Sequence, residues 1–162
     1  MIIDGKVGFT GGINLADEYI NRRERFGHWK DSAILLEGDA VWSMTVMFLT
    51  MWDHCCGWEE EFRHFRPEPS AVRPWTGYVQ PYTDTPLDHE KVGQAVYLNM
   101  ISRPDYIYIT TPYLIVDVAT NTALCNAAKA GVDVRIITPH IPDKRSVFEV
   151  TKAHYPPLLE RG

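Results

Sequence analysis

The sequence predicts an α/β fold in which a mixed, mostly parallel sheet is flanked by helices. Three observations predict it. The chain begins with a pattern of two short strands, a helical pattern follows a strand pattern over residues 32–56, and strand and helix patterns alternate over residues 105–137. An alternation of strand, crossover helix and strand favours parallel pairing with helices on the faces of the sheet.

The first 14 residues carry the first strand pair and a glycine-rich turn. Ile2-Ile3, the turn signal Asp4-Gly5 and the alternation from Lys6 to Phe9 predict a hairpin, so the chain begins inside a sheet and we expect residues to precede Met1. In the following Thr10–Asn14, two glycines permit close backbone approach, and backbone N–H groups with the Asn14 amide are suited to an anion. A plain glycine-rich turn is the alternative.

A strand and a long helix come next. Residues 32–37 are apolar enough for a buried strand, and Asp39 is a suitable N-cap for a helix over Ala40–Cys56. The residues at helical spacing that we expect to face the core are Val41, Met44, Phe48, Met51 or Trp52, and Cys55. A lipid-contacting face is the less favoured interpretation of these Met and aromatic residues.

The second half of the chain shows a regular succession of strand and helix patterns. The predicted elements are a strand at 77–80, a helix from Asp88 to Ser102, a strand at 105–110, a helix from Asp117 to Ala130 that ends at Gly131, a strand at 132–137 and a helix after Pro142-Asp143. Ligands of parallel sheets meet the carboxyl ends of the strands, here Thr110–Tyr113 and Thr138–His140.

These patterns divide the chain into residues 1–57, a linker at 58–76 and residues 77–162. Repeated prolines break regular structure in the linker. Its aromatic and arginine residues, Phe62, Arg63, Phe65, Arg66 and Trp75, suit a bilayer or nucleic-acid contact, although the acidic triplet before them favours a docked connector.

Composition and charge limit the classes of function that the chain can have. A chain of 162 residues with 45% hydrophobic residues can bury a core, and a net charge of −5 argues against general polyanion binding. No apolar run approaches the roughly 20 residues of a membrane-spanning helix. Three cysteines fit no disulfide framework, and His54-Cys55-Cys56 lacks a second ligand pair for a metal. Arg22, Arg23 and Arg25 form a local basic cluster that suits a phosphate headgroup or a solvated loop.

Two stretches carry a family resemblance. Asp4, six further residues and then Gly11-Gly12-x-Asn14 resemble the downstream half of the HKD motif of the phospholipase D superfamily, which runs His-x-Lys-(x)4-Asp-(x)6-Gly-(Gly/Ser)-x-Asn. The sequence of residues 3–19 is similar to that of the bacterial cardiolipin synthase branch. The part of those enzymes that leads to their second HKD motif resembles residues 108–113, 130–139 and 158–162. The chain thus resembles the stretch between the two His-x-Lys pairs.

The resemblance implies phosphatidyl transfer between two phosphatidylglycerol molecules through a phospho-His intermediate, with release of glycerol and without metal or cofactor. It implies that Gly11, Gly12 and Asn14 bind phosphate, that Asp4 and Asp31 support catalysis, and that Thr111, Pro112 and Tyr113 line the substrate. Asp31, or failing it Glu24, would orient the motif His; a structural Asp that caps the strand or bonds Trp29 is the alternative for Asp31. The implied partners are phosphatidylglycerol and anionic lipid at the cytoplasmic side of the cell membrane, with no nucleic acid.

We expect the 162-residue segment itself to be soluble and inactive. His28-Trp29-Lys30 has the His-x-Lys spacing, but Leu35 stands where the motif requires Asp. Two other classes stay open: a phosphodiesterase or nuclease of the same superfamily, and a non-catalytic module that binds anionic lipid through its arginines.

Overall fold

The computed structural model describes residues 1–68, 77–85 and 89–161. The described residues form two compact units. The first contains Met1–Arg23 and the described part of His28–Thr85, and the second contains Glu24–Gly27 and the described part of Pro86–Gly162. Both units combine helices with strands, so the predicted α/β class is confirmed.

The first unit is built on an antiparallel sheet of three strands, β1 (Ile2–Ile3), β2 (Val7–Gly11) and β3 (Ala33–Glu37), in that order. Asp4 and Gly5 have φ angles of 52° and 64°, and the Lys6 amide donates to the Ile3 carbonyl at 3.0 Å. Two successive residues with positive φ make the tight hairpin turn that the sequence predicts. The antiparallel pairing of all three strands departs from the mostly parallel sheet that we expected.

Helix α1 (Ala40–Cys56) has the predicted bounds, and its predicted core face is confirmed only at the N-terminal end, where Val41 is buried and Met44 half-buried. The buried residues are Val41, Thr45 and Leu49, whereas Phe48, Met51, Trp52 and Cys55 are exposed. Helix and sheet meet near the helix N-terminus, where a Cβ added at Gly8 would lie 2.8 Å from the Met44 sulfur. No residue of α1 after Leu49 is buried by the described part of the chain.

The ends of α1 differ in how they are capped. Asp39 lies at the predicted N-cap position, but its side chain makes no capping hydrogen bond. At the other end, Gly57 has a φ of 71° and its amide donates to the Asp53 carbonyl at 2.8 Å. This left-handed glycine is the usual way to end a helix, because it carries no Cβ to oppose the conformation.

Strand β3 lies at the edge of its sheet, and Ile34 and Leu35 are both more than half exposed. The prediction of a buried strand at residues 32–37 is therefore wrong. The apolar run reflects strand propensity, but the second face of the sheet has no covering layer among the described residues. An apolar run alone does not reveal how many faces of a strand are covered.

Part of the predicted linker packs against the first unit. A 3-10 helix at Phe62–Phe65 brings the Phe65 carbonyl within 3.0 Å of a Cβ position on Gly5. The Arg66 guanidinium lies 5.6 Å from the centre of the Trp42 ring. These contacts agree with a docked connector; Trp75 lies outside the described residues. The strand predicted at 77–80 is absent from this described stretch, where Tyr78 is fully exposed.

The second unit has a parallel strand pair with helices. Its elements are α2 (Val92–Ile101), β4 (Tyr106–Thr110), α3 (Val118–Lys129), β5 (Asp133–Ile137), α4 (Arg145–Ala153) and α5 (Tyr155–Leu159). β4 and β5 pair in parallel from Tyr106 opposite Asp133 to Thr110 opposite Ile137. The predicted crossover through α3 is thus confirmed. The predicted cap Asp88 lies outside the described residues.

Alternation along β4 and β5 builds the core of the second unit. Ile107 is buried together with Leu124 and Ala127 of α3 and Ile101 of α2. The partly buried residues that pack on this cluster are Ile109, Ala123, Val132, Val134, Ile136 and Leu158. One face of the strand pair is therefore covered, as the alternation of apolar and polar residues requires.

Asp117 caps α3, as predicted. Its Oδ1 accepts a hydrogen bond from the Thr120 amide at 2.7 Å, and Gly131, with a φ of 93°, follows the end of the helix. The backbone hydrogen bond from Thr120 is the main cause that lowers the pKa of Asp117, with the Gln94 side chain adding to it. Hydrogen bonds to a carboxylate favour its charged form.

This cap predicts a pH-dependent stability. Because the pKa of Asp117 is lower in the folded chain than in the unfolded chain, its contribution is present above the unfolded pKa and is lost as the pH falls through the folded pKa. Asn also caps helices but does not titrate. We expect the difference in Tm between the wild type and Asp117→Asn to be largest above about pH 5 and to shrink toward about pH 2. A difference that is constant over this range would contradict the assignment.

Candidate functional site

The glycine-rich turn of the first unit follows β2, where Gly11 pairs with Ala33 of β3. A Cβ added at Gly11 would lie 2.6 Å from the Ser32 carbonyl oxygen and 2.8 Å from the Ala33 Cα. These distances are shorter than real contacts, and both atoms belong to the backbone. Gly11 is therefore required by the close approach of the neighbouring strand, as the sequence suggests, and not by a positive φ angle.

Asp31 lies beside this turn. Its Oδ1 would be 3.1 Å from a Cβ on Gly12, and the same oxygen accepts a hydrogen bond from the Ser32 amide at 2.8 Å. Antiparallel pairing of β2 and β3 brings together residues that are 19 positions apart in the sequence. The predicted pair of a glycine turn and a nearby carboxylate is therefore present in the structure, while the catalytic role of Asp31 stays a prediction.

The other two predicted residues of this site, Asn14 and Asp4, differ in how close they lie to the glycine turn. Asn14 is exposed two residues beyond Gly12, and its carbonyl accepts a hydrogen bond from the Ala16 amide at 3.0 Å. Asp4 lies in the hairpin turn at the opposite end of β2, a strand of five residues, so about 13 Å separates it from the glycine turn. The geometry thus gives Asp4 a turn position, with a φ of 52°, away from Gly12 and Asp31.

The basic cluster is distributed over the two units. The Arg22 and Arg23 amides both donate to the Asp17 carbonyl, at 2.9 and 3.2 Å, and both side chains are exposed on the first unit. Arg25 belongs to the second unit, where its guanidinium lies 5.0 Å from the centre of the Phe26 ring. The three arginines of the cluster are therefore not equivalent, since only Arg25 of the three has a cation–π contact among the described residues.

A second candidate edge lies where β4 and β5 end. Thr111, Pro112 and Tyr113 directly follow β4, and the Thr111 amide donates to the Ile137 carbonyl at 3.0 Å. The Thr111 hydroxyl bonds both the carbonyl and the amide of Tyr113, at 3.1 and 3.3 Å, and so fixes the turn. The predicted position of these three residues at the carboxyl end of a parallel strand is confirmed; their contact with substrate stays a prediction.

Sequence reasoning missed three hydrogen bonds here: two hold the segment after β4 to segments after β5, and the third joins two segments that both follow β5. The Tyr113 hydroxyl donates to Asp143 at 2.7 Å, the Leu114 amide donates to the Thr151 hydroxyl at 3.1 Å, and the hydroxyls of Thr138 and Tyr155 are 2.7 Å apart. Thr151 is fully buried. The only sequence signal was Pro142-Asp143, which we interpreted as the start of a helix. These bonds stiffen the carboxyl edge of the strand pair.

The uncovered face of the strand pair carries a polar cluster. The Tyr108 hydroxyl donates to Asp133 at 2.8 Å, and Arg135 forms an ion pair with the same carboxylate at 2.9 Å. The hydrogen bond from Arg135 is the main cause that lowers the pKa of Asp133, and the bond to Asp133 raises the pKa of Tyr108. Both shifts keep Asp133 charged and Tyr108 protonated, so this cluster is suited to structure rather than to proton transfer.

Two kinds of feature, a metal-binding group of side chains and a membrane-spanning helix, are absent from the described part of the chain. Within residues 1–68, 77–85 and 89–161, no group of three or more His, Cys, Asp and Glu side chains is arranged to hold a metal ion. None of the helices described here is long and apolar enough to cross a bilayer.

Together, the two α/β units define a chain with a glycine turn beside a carboxylate in one unit and a braced carboxyl edge in the other. Sequence comparison relates it to bacterial proteins. It is 37% identical over 163 residues to the cardiolipin synthase of Geobacillus thermodenitrificans and 36% identical to cardiolipin synthase 2 of Bacillus cereus. An uncharacterized protein of Streptococcus mutans is 52% identical.

Each match covers all of this chain, and the chain spans about a third of its relatives: 32% of the two synthases and 35% of the Streptococcus protein. No protein-family model matches the chain, and no solved structure matches it. The chain is therefore related, over its whole length, to one part of the bacterial cardiolipin synthases. The resemblance predicted from the motifs is confirmed.

Proposed function

We propose that this chain is part of a phosphatidyltransferase that joins two phosphatidylglycerol molecules into cardiolipin and releases glycerol. The observation that carries the proposal is the match along the whole chain to proteins named cardiolipin synthase, at 36–37% identity. The position of Asp31 beside the Gly11-Gly12 turn supports it, because glycines let backbone N–H groups approach a phosphate and a carboxylate at this place can orient the motif His.

In the proposed reaction, a motif His attacks the phosphorus of one phosphatidylglycerol, and the P–O bond to glycerol breaks as a second His protonates the leaving oxygen. The hydroxyl of the second phosphatidylglycerol then loses its proton to that second His and attacks the phosphorus of the phospho-His, and the P–N bond breaks to release the first His. The Asn14 amide would donate to a phosphoryl oxygen on which negative charge develops. Asp31 would hold the attacking His in the required tautomer.

The proposal assigns support to this chain and nucleophilic chemistry to residues outside it. None of its six histidines stands in a complete HKD motif, since the His28–Lys30 spacing is followed by Leu35. We therefore expect the 162-residue chain alone to transfer no phosphatidyl groups. We also propose that the longer protein acts at the cell membrane, because both substrates are lipids.

A chimera tests the proposed function. This chain would replace the matching third of the Geobacillus thermodenitrificans synthase, and release of glycerol from phosphatidylglycerol vesicles would be measured. A folded chimera that makes cardiolipin supports the proposal, whereas a folded chimera that is inactive contradicts it. Cleavage of DNA in place of lipid transfer would favour a nuclease of the same superfamily. Transfer by the isolated chain would refute its assignment as a supporting segment.

A further inference from the structure

Tyr113 and Asp143 form a fixed platform at the carboxyl edge of the second unit. The ring of Tyr113 is held at one end by the 2.7 Å hydrogen bond from its hydroxyl to Asp143, and its backbone is held by the Thr111 hydroxyl. Tyr113 is half-buried. A ring that is fixed at both ends can position a flexible side chain that lies on it, because less conformational entropy remains to be lost on binding.

Lys144 lies on this platform. Its ammonium nitrogen is 5.2 Å from the centre of the Tyr113 ring, within the range of a cation–π contact, and the residue is exposed. Two other basic side chains of this unit form ion pairs: Lys152 pairs with Glu149 at 2.7 Å, and Arg135 pairs with Asp133 at 2.9 Å. Lys144 has no such ion pair with any described residue.

We propose that Lys144 binds the phosphate of a phosphate ester at the carboxyl edge of β4 and β5, and that the hydrogen bond between Tyr113 and Asp143 positions it. The inference rests on the proposed function, for which it names a phosphate contact that the HKD resemblance does not supply. An ammonium group with three N–H donors and no carboxylate partner can donate hydrogen bonds to a phosphate, which then serves as its counter-ion. The ring contact directs the lysine toward the edge where parallel sheets bind ligands.

NMR titration of the full 162-residue chain tests the inference. Inorganic phosphate, glycerol 1-phosphate, and vesicles of phosphatidylglycerol or phosphatidylcholine are the probes, and the Lys144 side-chain resonance is the readout. We expect Lys144→Gln to weaken phosphate binding at least about tenfold and Lys144→Arg to retain it. Lys152→Gln is the matched control, since Lys152 is on α4, the helix that begins directly after Lys144, and this variant should bind as the wild type does. Tyr113→Phe should weaken binding about threefold, because it removes the positioning bond to Asp143 and leaves the charge of Lys144 in place.

The different probes distinguish a lipid headgroup from a free anion as the source of the bound phosphate. Tighter binding of glycerol 1-phosphate and phosphatidylglycerol vesicles than of inorganic phosphate, with phosphatidylcholine vesicles inert, identifies a lipid headgroup; equal binding of all phosphates identifies a simple anion site. The inference is overturned if the wild type binds none of the probes, if Lys144→Gln binds unchanged, or if Lys152→Gln loses as much. The chimera assay is independent, since an inactive chimera refutes the proposed function even where Lys144 binds phosphate.

Discussion

Asn14→Ala is expected to lower the rate of cardiolipin formation by the chimera about 100- to 1,000-fold, the usual effect of removing one donor to a charged transition state. The amide of Asn14 is the one side-chain donor of the Gly11-Gly12-x-Asn14 turn. Its side chain is exposed and has no hydrogen-bond partner among the described residues, so the folded structure does not depend on it. The rate should therefore fall without a change in Tm.

Asn126→Ala is the matched control, because Asn126 is an exposed asparagine on α3. We expect this variant to retain the wild-type rate. Glycerol release under saturating phosphatidylglycerol is the measurement, with thermal melting of each variant alongside. A loss of less than about tenfold in Asn14→Ala, with the chimera folded, would remove Asn14 from the proposed phosphate site.

Leu124→Ala is expected to lower the free energy of unfolding by about 3 kcal/mol, the typical cost of a cavity left by a buried leucine. Leu124 is 1% exposed and packs among Ile101, Ile107 and Ala127, which join α2, β4 and α3. One of these elements, β4, is a strand whose end forms part of the candidate edge. The loss should therefore also loosen the contact between Tyr113 and Asp143.

Urea unfolding measures this change, with the midpoint shifted and the slope unchanged. Leu159→Ala is the control, since Leu159 is 80% exposed in the same unit and its truncation should cost less than about 0.5 kcal/mol. A loss below about 1 kcal/mol for Leu124→Ala would mean that the second unit does not have the core described above.

The sequence predicted the second unit better than the first. Asp117, Gly131 and the alternation along β4 and β5 are local signals, and each has the structural role expected of it. In the first unit, the bounds of α1 were predicted, but its buried face was predicted only in part. The helix α1 has its own apolar residues on every side, so their periodicity could not identify the side that meets the sheet at Gly8.

The candidate sites show the same limit. The Gly11-Gly12-x-Asn14 turn has a sequence signature, and the pairing of β2 with β3 brings Asp31 to it. The bond between Tyr113 and Asp143 joins residues 30 positions apart, with α3 and β5 between them, and depends on how the loops fold. No spacing rule covers such a pair, and the residues adjacent to it, including Lys144, were therefore missed.

The edge position of β3 has a practical consequence for the purified chain. Its outer backbone groups have no partner strand among the described residues, and the apolar side chains of Ile34 and Leu35 flank them on both faces. Unprotected edges of this kind can recruit strands from other molecules and start aggregation. Titrations are therefore best run at low protein concentration, and Leu35→Lys would place a charge on this edge strand that opposes such pairing and raises solubility.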